Sequence, residues 1–324
     1  MSSETPPGDD SDAQKIIMAI SAAVLVLVVT YRIGRLDAPT PEPSAPATTI
    51  TAASFAPPPE KSIPEGPQGE AIRRGQLLFT KTSSNAGDFV GNGMTCASCH
   101  LDSGRQPNAA PMWAAWVSYP AYRDKNKRIN TMEDRIRECF LYSMNAPASK
   151  AGTPPPYGHD IYRDLQSYFA WLATDAPWGQ TLPGRGFKKL QMTSLGHDPA
   201  RGAAVYAEKC ASCHGAEGGG QPNTDGTFTI PPLWGTRAYN WGAGMTRLSN
   251  AAGFIKVNMP LGEGNTLTDQ QAWDVAAYVN SRPRPRDPRQ TGSVAETKAA
   301  FHSDDDYYGQ TIDGKLLGAP IASR

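Results

Sequence analysis

Two short runs carry the chemistry of this chain: Cys96-Ala97-Ser98-Cys99-His100 and Cys210-Ala211-Ser212-Cys213-His214. Paired thiols followed at once by an imidazole can form a redox disulfide, supply half of a zinc site, or bind a haem through two thioethers with the histidine on the iron. Two copies with the same middle residues select the last option. The expected cofactors are two covalently bound haem c groups, attached at Cys96, Cys99, Cys210 and Cys213, with His100 and His214 as proximal iron ligands. Of the five cysteines only Cys139 is left over.

What such a haem does turns on its second axial ligand. In the second half the strongest candidate is Met259, in Asn258-Met259-Pro260, 45 residues after His214. That span resembles class I cytochromes c, and a following proline favours the extended backbone a ligand loop needs. Met245 competes, since a methionine is more often core filling than ligand. In the first half the candidates are Met112, Met132, Met144 and Cys139, the last lying 39 residues after His100. A lone cysteine is often a small buried hydrophobe. Outside the cytoplasm, however, a free thiol is an oxidation hazard, and this one stands where a distal ligand belongs. A thiolate ligand would place the first haem below its His/Met partner in potential, giving a downhill pair.

The elements that position these residues repeat. Arg74-Gly75-Gln76-Leu77-Leu78-Phe79 precedes the first motif and Arg201-Gly202-Ala203-Ala204-Val205-Tyr206 the second, each reading as an amphipathic helix with a buried aromatic. Aromatic-rich helices close the units at Ile161–Leu172 and at Thr268–Asn280, where Thr268 and Gln271 make a capping box and Pro283 bars continuation. Helix, haem loop, distal ligand and closing helix, twice over, resemble two class I cytochrome c domains in tandem, an all-α fold. The expected organisation is domain 1 at 69–182, a connector at 183–194, domain 2 at 195–283, and a Pro-rich then acidic tail at 284–324, lying over the domains or partly disordered.

Ahead of the domains, residues 1–15 are polar and Ile16–Tyr31 almost wholly apolar, followed by Arg32 and Arg35. Sixteen residues fall short of the roughly 20 that span a bilayer. No small-residue cleavage site follows closely, so an uncleaved transmembrane anchor at 16–35 is expected, with 1–15 cytoplasmic. Lys15 against Arg32 and Arg35 lends no support from charge asymmetry. Haem attachment outside the cytoplasm, a property of c-type cytochromes, sets the orientation instead: the domains face the periplasm at the inner membrane. Residues 36–68 hold nine prolines and read as an extended tether of about 100 Å. Lys plus Arg equals Asp plus Glu at 31 each, which argues against nucleic acid as a main partner.

Around Cys139 the sequence becomes specific. Met94 to Gly104, Glu133-Asp134-Arg135-Ile136-Arg137-Glu138-Cys139-Phe140 and Ser143-Met144-Asn145 resemble the thiosulfate dehydrogenase family, dihaem cytochromes that couple two thiosulfates to tetrathionate, some running in reverse. The likeness continues through Gly253 to Pro260 and Asp274 to Tyr278, covering roughly residues 69–283. It implies that Cys139 ligates the first iron, that this haem is the catalytic one, and that Arg135 and Ser143 are active-site positions. A second basic residue is expected among Lys125, Lys127 and Arg128, of which Lys125 is favoured; the other two suit a solvated loop. Arg135 could instead serve a haem propionate. Some family members carry a lysine before the distal methionine that can replace it; Asn258 stands there here. Electrons are expected to leave through the second haem to a periplasmic cytochrome c or a membrane oxidase, with the sulfur of Cys139 open to covalent catalysis. The alternatives are a membrane-tethered dihaem electron carrier without catalysis, and a cytochrome of the sulfur-oxidising multienzyme type.

Overall fold

The computed structural model describes residues 55–321. The anchor expected at 16–35, the cytoplasmic residues 1–15 and most of the tether lie outside the described residues. No helix among the described residues is long and apolar enough to cross a membrane.

The internal repeat is a repeated helix crossing. In the first half, α1 (Pro67–Thr80) packs on a closing helix, Asp160–Leu172; in the second half, Pro199–Lys209 packs on Asp269–Asn280. The Arg-Gly pair in each leading helix accounts for both contacts. Arg74 donates from Nε and Nη2 to both carboxylate oxygens of Asp164, at 2.9 Å each. Arg201 does the same to Asp274, at 2.8 and 2.7 Å. A Cβ added at Gly75 would strike the Asp164 carbonyl and the Tyr168 side chain; at Gly202 it would strike the Asp274 carbonyl and Tyr278. Glycine lets the two backbones touch, and the neighbouring arginine locks their register. Asp274, 3% exposed, also accepts from the Asp198 amide and Gln270, so its buried charge is fully partnered.

Between the crossings of the first half lie a short hairpin, β1 (Ala121–Arg123) with antiparallel β2 (Arg128–Asn130), and then α2 (Met132–Glu138). A capping box starts α2: Asp134 N donates to Thr131 Oγ1 at 3.1 Å, and Thr131 N to the Asp134 carboxylate at 2.9 Å. The helix widens into a π turn over Cys139–Ser143, the sort of local irregularity often found at functional sites. With α1 and α2 so defined, Asp160–Leu172 is α3, Pro199–Lys209 α4, Leu248–Asn258 α5 and Asp269–Asn280 α6. The helical character expected from the sequence holds, supplemented by three two-stranded hairpins.

One stretch departs from its sequence reading, and in another the structure selects between the two arrangements left open. The end of the tether is docked: Phe55 packs on Trp113 at 5.3 Å, Arg105 donates to the Pro58 carbonyl at 2.6 Å, and α1 begins at Pro67, already inside the tether. Residues 284–321 lie over the domains, one of the two arrangements the sequence left open. Arg284, Asp287, Tyr307, Tyr308 and Leu317 are buried, around α7 (Val294–Phe301). The acidic run is part of this packing: Asp305 accepts from the amide and hydroxyl of Ser249 in the first turn of α5, and Asp306 accepts from the Tyr308 amide at 3.0 Å. Charged runs read as solvated until a helix start and a buried amide supply their partners.

The two halves are joined by buried polar contacts. Asn240 donates to the Leu141 carbonyl at 2.9 Å and to Asn145 at 3.1 Å, while Asn92 donates to the Ala238 carbonyl at 3.4 Å. Gly242 admits the Tyr142 ring so closely that no Cβ would fit.

Candidate active site

The first motif lines a cavity with residues from four segments. Cys96, Cys99 and His100 form one wall; Arg135, Cys139, Ser143 and Met144, from α2 and its π turn, face it, with Phe79 and Phe169 from the crossing helices and Arg185 from the connector. Cys96 and Cys99 are free rather than disulfide-bonded. His100 Nδ1 lies 2.8 Å from the Ala110 carbonyl; since a carbonyl only accepts, Nδ1 carries the proton and Nε2 keeps its lone pair. Burial pushes His100 down to about 4, keeping it neutral, as a metal ligand must be. Two thiols, an oriented neutral imidazole and a further sulfur lining one largely apolar cavity fit a haem c.

The distal side holds the charge. Arg135 and Cys139 are four residues apart on one helical face, and Arg135 Nη1 donates to Cys139 Sγ at 3.1 Å. The sulfur beside it pushes the Arg135 guanidinium further up, against the cost of burial, so it is always a cation. Glu138 lies 3.9 Å from Arg135 and 4.0 Å from Arg123, and accepts from Asn126 at 3.0 Å.

A second, open cavity adjoins the first, with Arg123, Arg135 and Ser143 common to both. The β1–β2 hairpin delivers Lys125 to it. Lys125 Nζ donates to the Gly242 carbonyl at 2.6 Å and sits 3.6 Å from the centre of the Tyr142 ring. Burial, and then the neighbouring Arg289 and Arg135, push Lys125 down to about 7. Lys127 and Arg128 line neither cavity: Lys127 sits in the hairpin turn at φ 53°, and Arg128 pairs with Asp134 at 3.0 Å. Sequence reasoning missed Arg123, Arg185, Arg247 and Arg289, which come from a strand, the connector, the start of α5 and the C-terminal segment. Only Arg123, beside the basic run it belongs to, left a local signal.

In the second half His214 Nδ1 lies 3.0 Å from the Pro231 carbonyl, repeating the first-half arrangement, and burial again lowers the imidazole. Cys210 is partly buried against Tyr206 and Val275, and Cys213 is exposed. Met259 follows α5 directly, its amide donating to Ile255 O at 2.9 Å, and is half-buried. Met245 belongs elsewhere, packed against the first-half core with its carbonyl accepting from Asn280 at 3.1 Å.

The chain is similar to known proteins over most of its length. A family model described as SoxA/TsdA, cytochrome c domain, matches residues 75–177, and one described as cytochrome c matches 199–283. The thiosulfate dehydrogenase of Stutzerimonas stutzeri (strain A1501) is 47% identical over 270 residues, covering 82% of this chain and 86% of its own length. That of Thiomonas intermedia (strain K12) is 45% identical over 285 residues, covering 87% and 88%. The solved structure of thiosulfate dehydrogenase (TsdBA) from Marichromatium purpuratum, in its as-isolated form, matches with a TM-score of 0.81 at 53% identity, covering 84% of this chain. The present chain spans 59% of that longer one.

Proposed function

The chain belongs to the thiosulfate dehydrogenase family, and we infer from its site that it is a dihaem cytochrome joining two thiosulfates through their sulfane sulfurs into tetrathionate. Two covalently bound haem c groups, held at Cys96, Cys99 and His100 and at Cys210, Cys213 and His214, supply the sink for the two electrons released. The observation that carries this reading is the 3.1 Å bond from Arg135 to Cys139 in a cavity that opens directly onto further cations. An electron carrier has no use for a thiol paired with arginine beside a basic pocket, and family membership likewise favours the enzyme over the tethered carrier.

In this reading His100 and Cys139 would hold the first haem iron, and His214 and Met259 the second. The residues divide the work. Arg135, donating to Cys139 Sγ, faces the first sulfonate, and Ser143 offers a hydroxyl in the same cavity. Lys125 adds a cation that is partly desolvated, where its charge is worth most. Two dianions repel strongly unless such preorganised charge meets them.

Covalent catalysis at Cys139 balances as follows. The thiolate and the sulfane sulfur of one thiosulfate form an S–S bond with loss of two electrons, leaving Cys139–S–S–SO3⁻. A second thiosulfate attacks the outer sulfane sulfur, releasing tetrathionate and the thiolate. No proton is exchanged. The electrons then pass to a cytochrome c or an oxidase. A periplasmic location, with Ile16–Tyr31 as a membrane anchor, belongs to the same reading; it rests on haem attachment outside the cytoplasm and on the apolar run.

The test is steady-state turnover of the purified dihaem protein with thiosulfate and ferricyanide, and with tetrathionate and a reduced dye. Cys139→Met is expected to retain both haems and lose thiosulfate oxidation. Wild-type protein that neither reduces ferricyanide with thiosulfate nor consumes tetrathionate overturns the reading.

A further inference from the structure

The C-terminal segment reaches the active site. After α6, Arg284 is fully buried over Tyr239 at 4.4 Å and donates to Val279 O at 2.9 Å, and the Trp241 amide donates to Pro285 O at 3.1 Å. This seats the chain so that Arg289 lines the same cavity as Lys125 and Arg135. Its guanidinium lies 5.3 Å from the Tyr142 ring on which Lys125 also rests.

Arg289 is braced. Its Nε and Nη2 donate to the two oxygens of Asp287 at 3.0 and 2.6 Å. Asp287 is fully buried and also meets His302 Nε2 at 3.0 Å, while His302 Nδ1 meets Asp306 at 2.8 Å and its ring stacks on Tyr308 at 3.9 Å. Among the described residues Arg289 Nη1 has no hydrogen-bond partner, and the side chain is only 15% exposed. A guanidinium held by two of its nitrogens, with the third free at a cavity wall, suits an oxyanion.

Resting on the function proposed above, we propose that Arg289 forms an outer subsite that binds the sulfonate farther from Cys139, that of tetrathionate or of the second thiosulfate. The substrate's chemistry requires two such sites. Tetrathionate carries a sulfonate at each end, so a pocket with cations only beside the sulfur would leave one unmet. The cavity runs from Arg135 and Ser143, at the sulfur, to Arg289, with Arg247 at its exposed rim. The C-terminal segment is therefore part of the active site, and selects dianions with charge at both ends.

The test uses the full dihaem protein in its oxidised state, where tetrathionate binds without reacting, and measures tetrathionate affinity by calorimetry. Arg289→Gln is expected to weaken binding about tenfold or more, the loss of one charge-assisted hydrogen bond. In turnover it should raise the tetrathionate KM similarly while kcat with a reduced dye stays within about threefold. Because Arg289→Gln leaves Asp287 buried with fewer partners, the double variant Asp287→Asn/Arg289→Gln is measured alongside it, with haem spectra and thermal midpoints reporting the fold. Wild-type affinity in either folded variant overturns the subsite. Tetrathionate binding that depends on Arg289, in a protein that turns over neither substrate, would sink the enzymatic reading and leave the subsite standing; no binding by wild-type protein sinks both.

Discussion

Replacing Arg135 by methionine keeps an unbranched, flexible stem, somewhat shorter, and removes the charge. The 3.1 Å contact to Cys139 is a hydrogen bond from a charged guanidinium to sulfur. Bonds to charged groups contribute about 1.5–3 kcal/mol, which at about 1.4 kcal/mol per decade is a ten- to hundredfold loss. Thiosulfate kcat/KM measured with ferricyanide is expected to fall by about that factor. A second effect must be separated from it. Glu138 Oε2 is buried with no hydrogen bond among the described residues, and meets Arg135 at 3.9 Å and Arg123 at 4.0 Å. The gross attraction at 3.9 Å is about 4 kcal/mol at an effective dielectric of 20, and solvent access and the remaining Arg123 reduce the net loss to about 1–2 kcal/mol. Arg135→Met should therefore also lower the thermal midpoint by a few degrees. Adding Glu138→Gln removes the stranded carboxylate and should restore the midpoint but not the turnover. If the double variant regains wild-type kcat/KM, Arg135 serves only to neutralise Glu138, and the assignment of its charge to the sulfur and substrate is wrong.

The thiosulfate KM should be lowest below pH 7 and climb as pH rises through about 7, because Lys125 is held down to about 7 and carries its charge only below that value. Lys125→Arg, charged throughout, should flatten the profile in a KM-against-pH series. Gly202→Ala should cost about 2–4 kcal/mol in thermal or denaturant unfolding, since the added carbon meets the Asp274 backbone, which cannot move without parting α4 from α6. Met259→Ala should leave reduction of the first haem by thiosulfate intact while slowing ferricyanide turnover, read by stopped-flow spectra against steady-state rates.

The haem motifs, the leading and closing helices and the Arg135–Cys139 pair are all local in sequence, and each was legible there. The haem attachment needs five consecutive residues, and Arg135 and Cys139 meet because four residues make about one turn of helix. Thr268 and Gln271 cap α6 by the same kind of short-range bond. The repeat of Arg74-Gly75 and Arg201-Gly202 was visible as a pattern, but its purpose was not: the partners, Asp164 and Asp274, lie 90 and 73 residues away.

What the sequence by itself determined is therefore what short-range chemistry dictates: two haem-attachment motifs, the helices that flank them, and a cysteine one helical turn from Arg135. Tertiary structure decided how Lys125 reaches the pocket and which further cations line it. Lys125 reaches it because a hairpin points it at Gly242 of the other half, Arg185 because the connector passes beside the first motif, and Arg289 because buried Arg284 and Asp287 fasten the C-terminal segment. Anion binding needs only that cations converge in space within a few ångströms. Charge acts through distance rather than sequence separation, so Arg289 can share a pocket with Lys125 and Arg135 with nothing in its local sequence to join them.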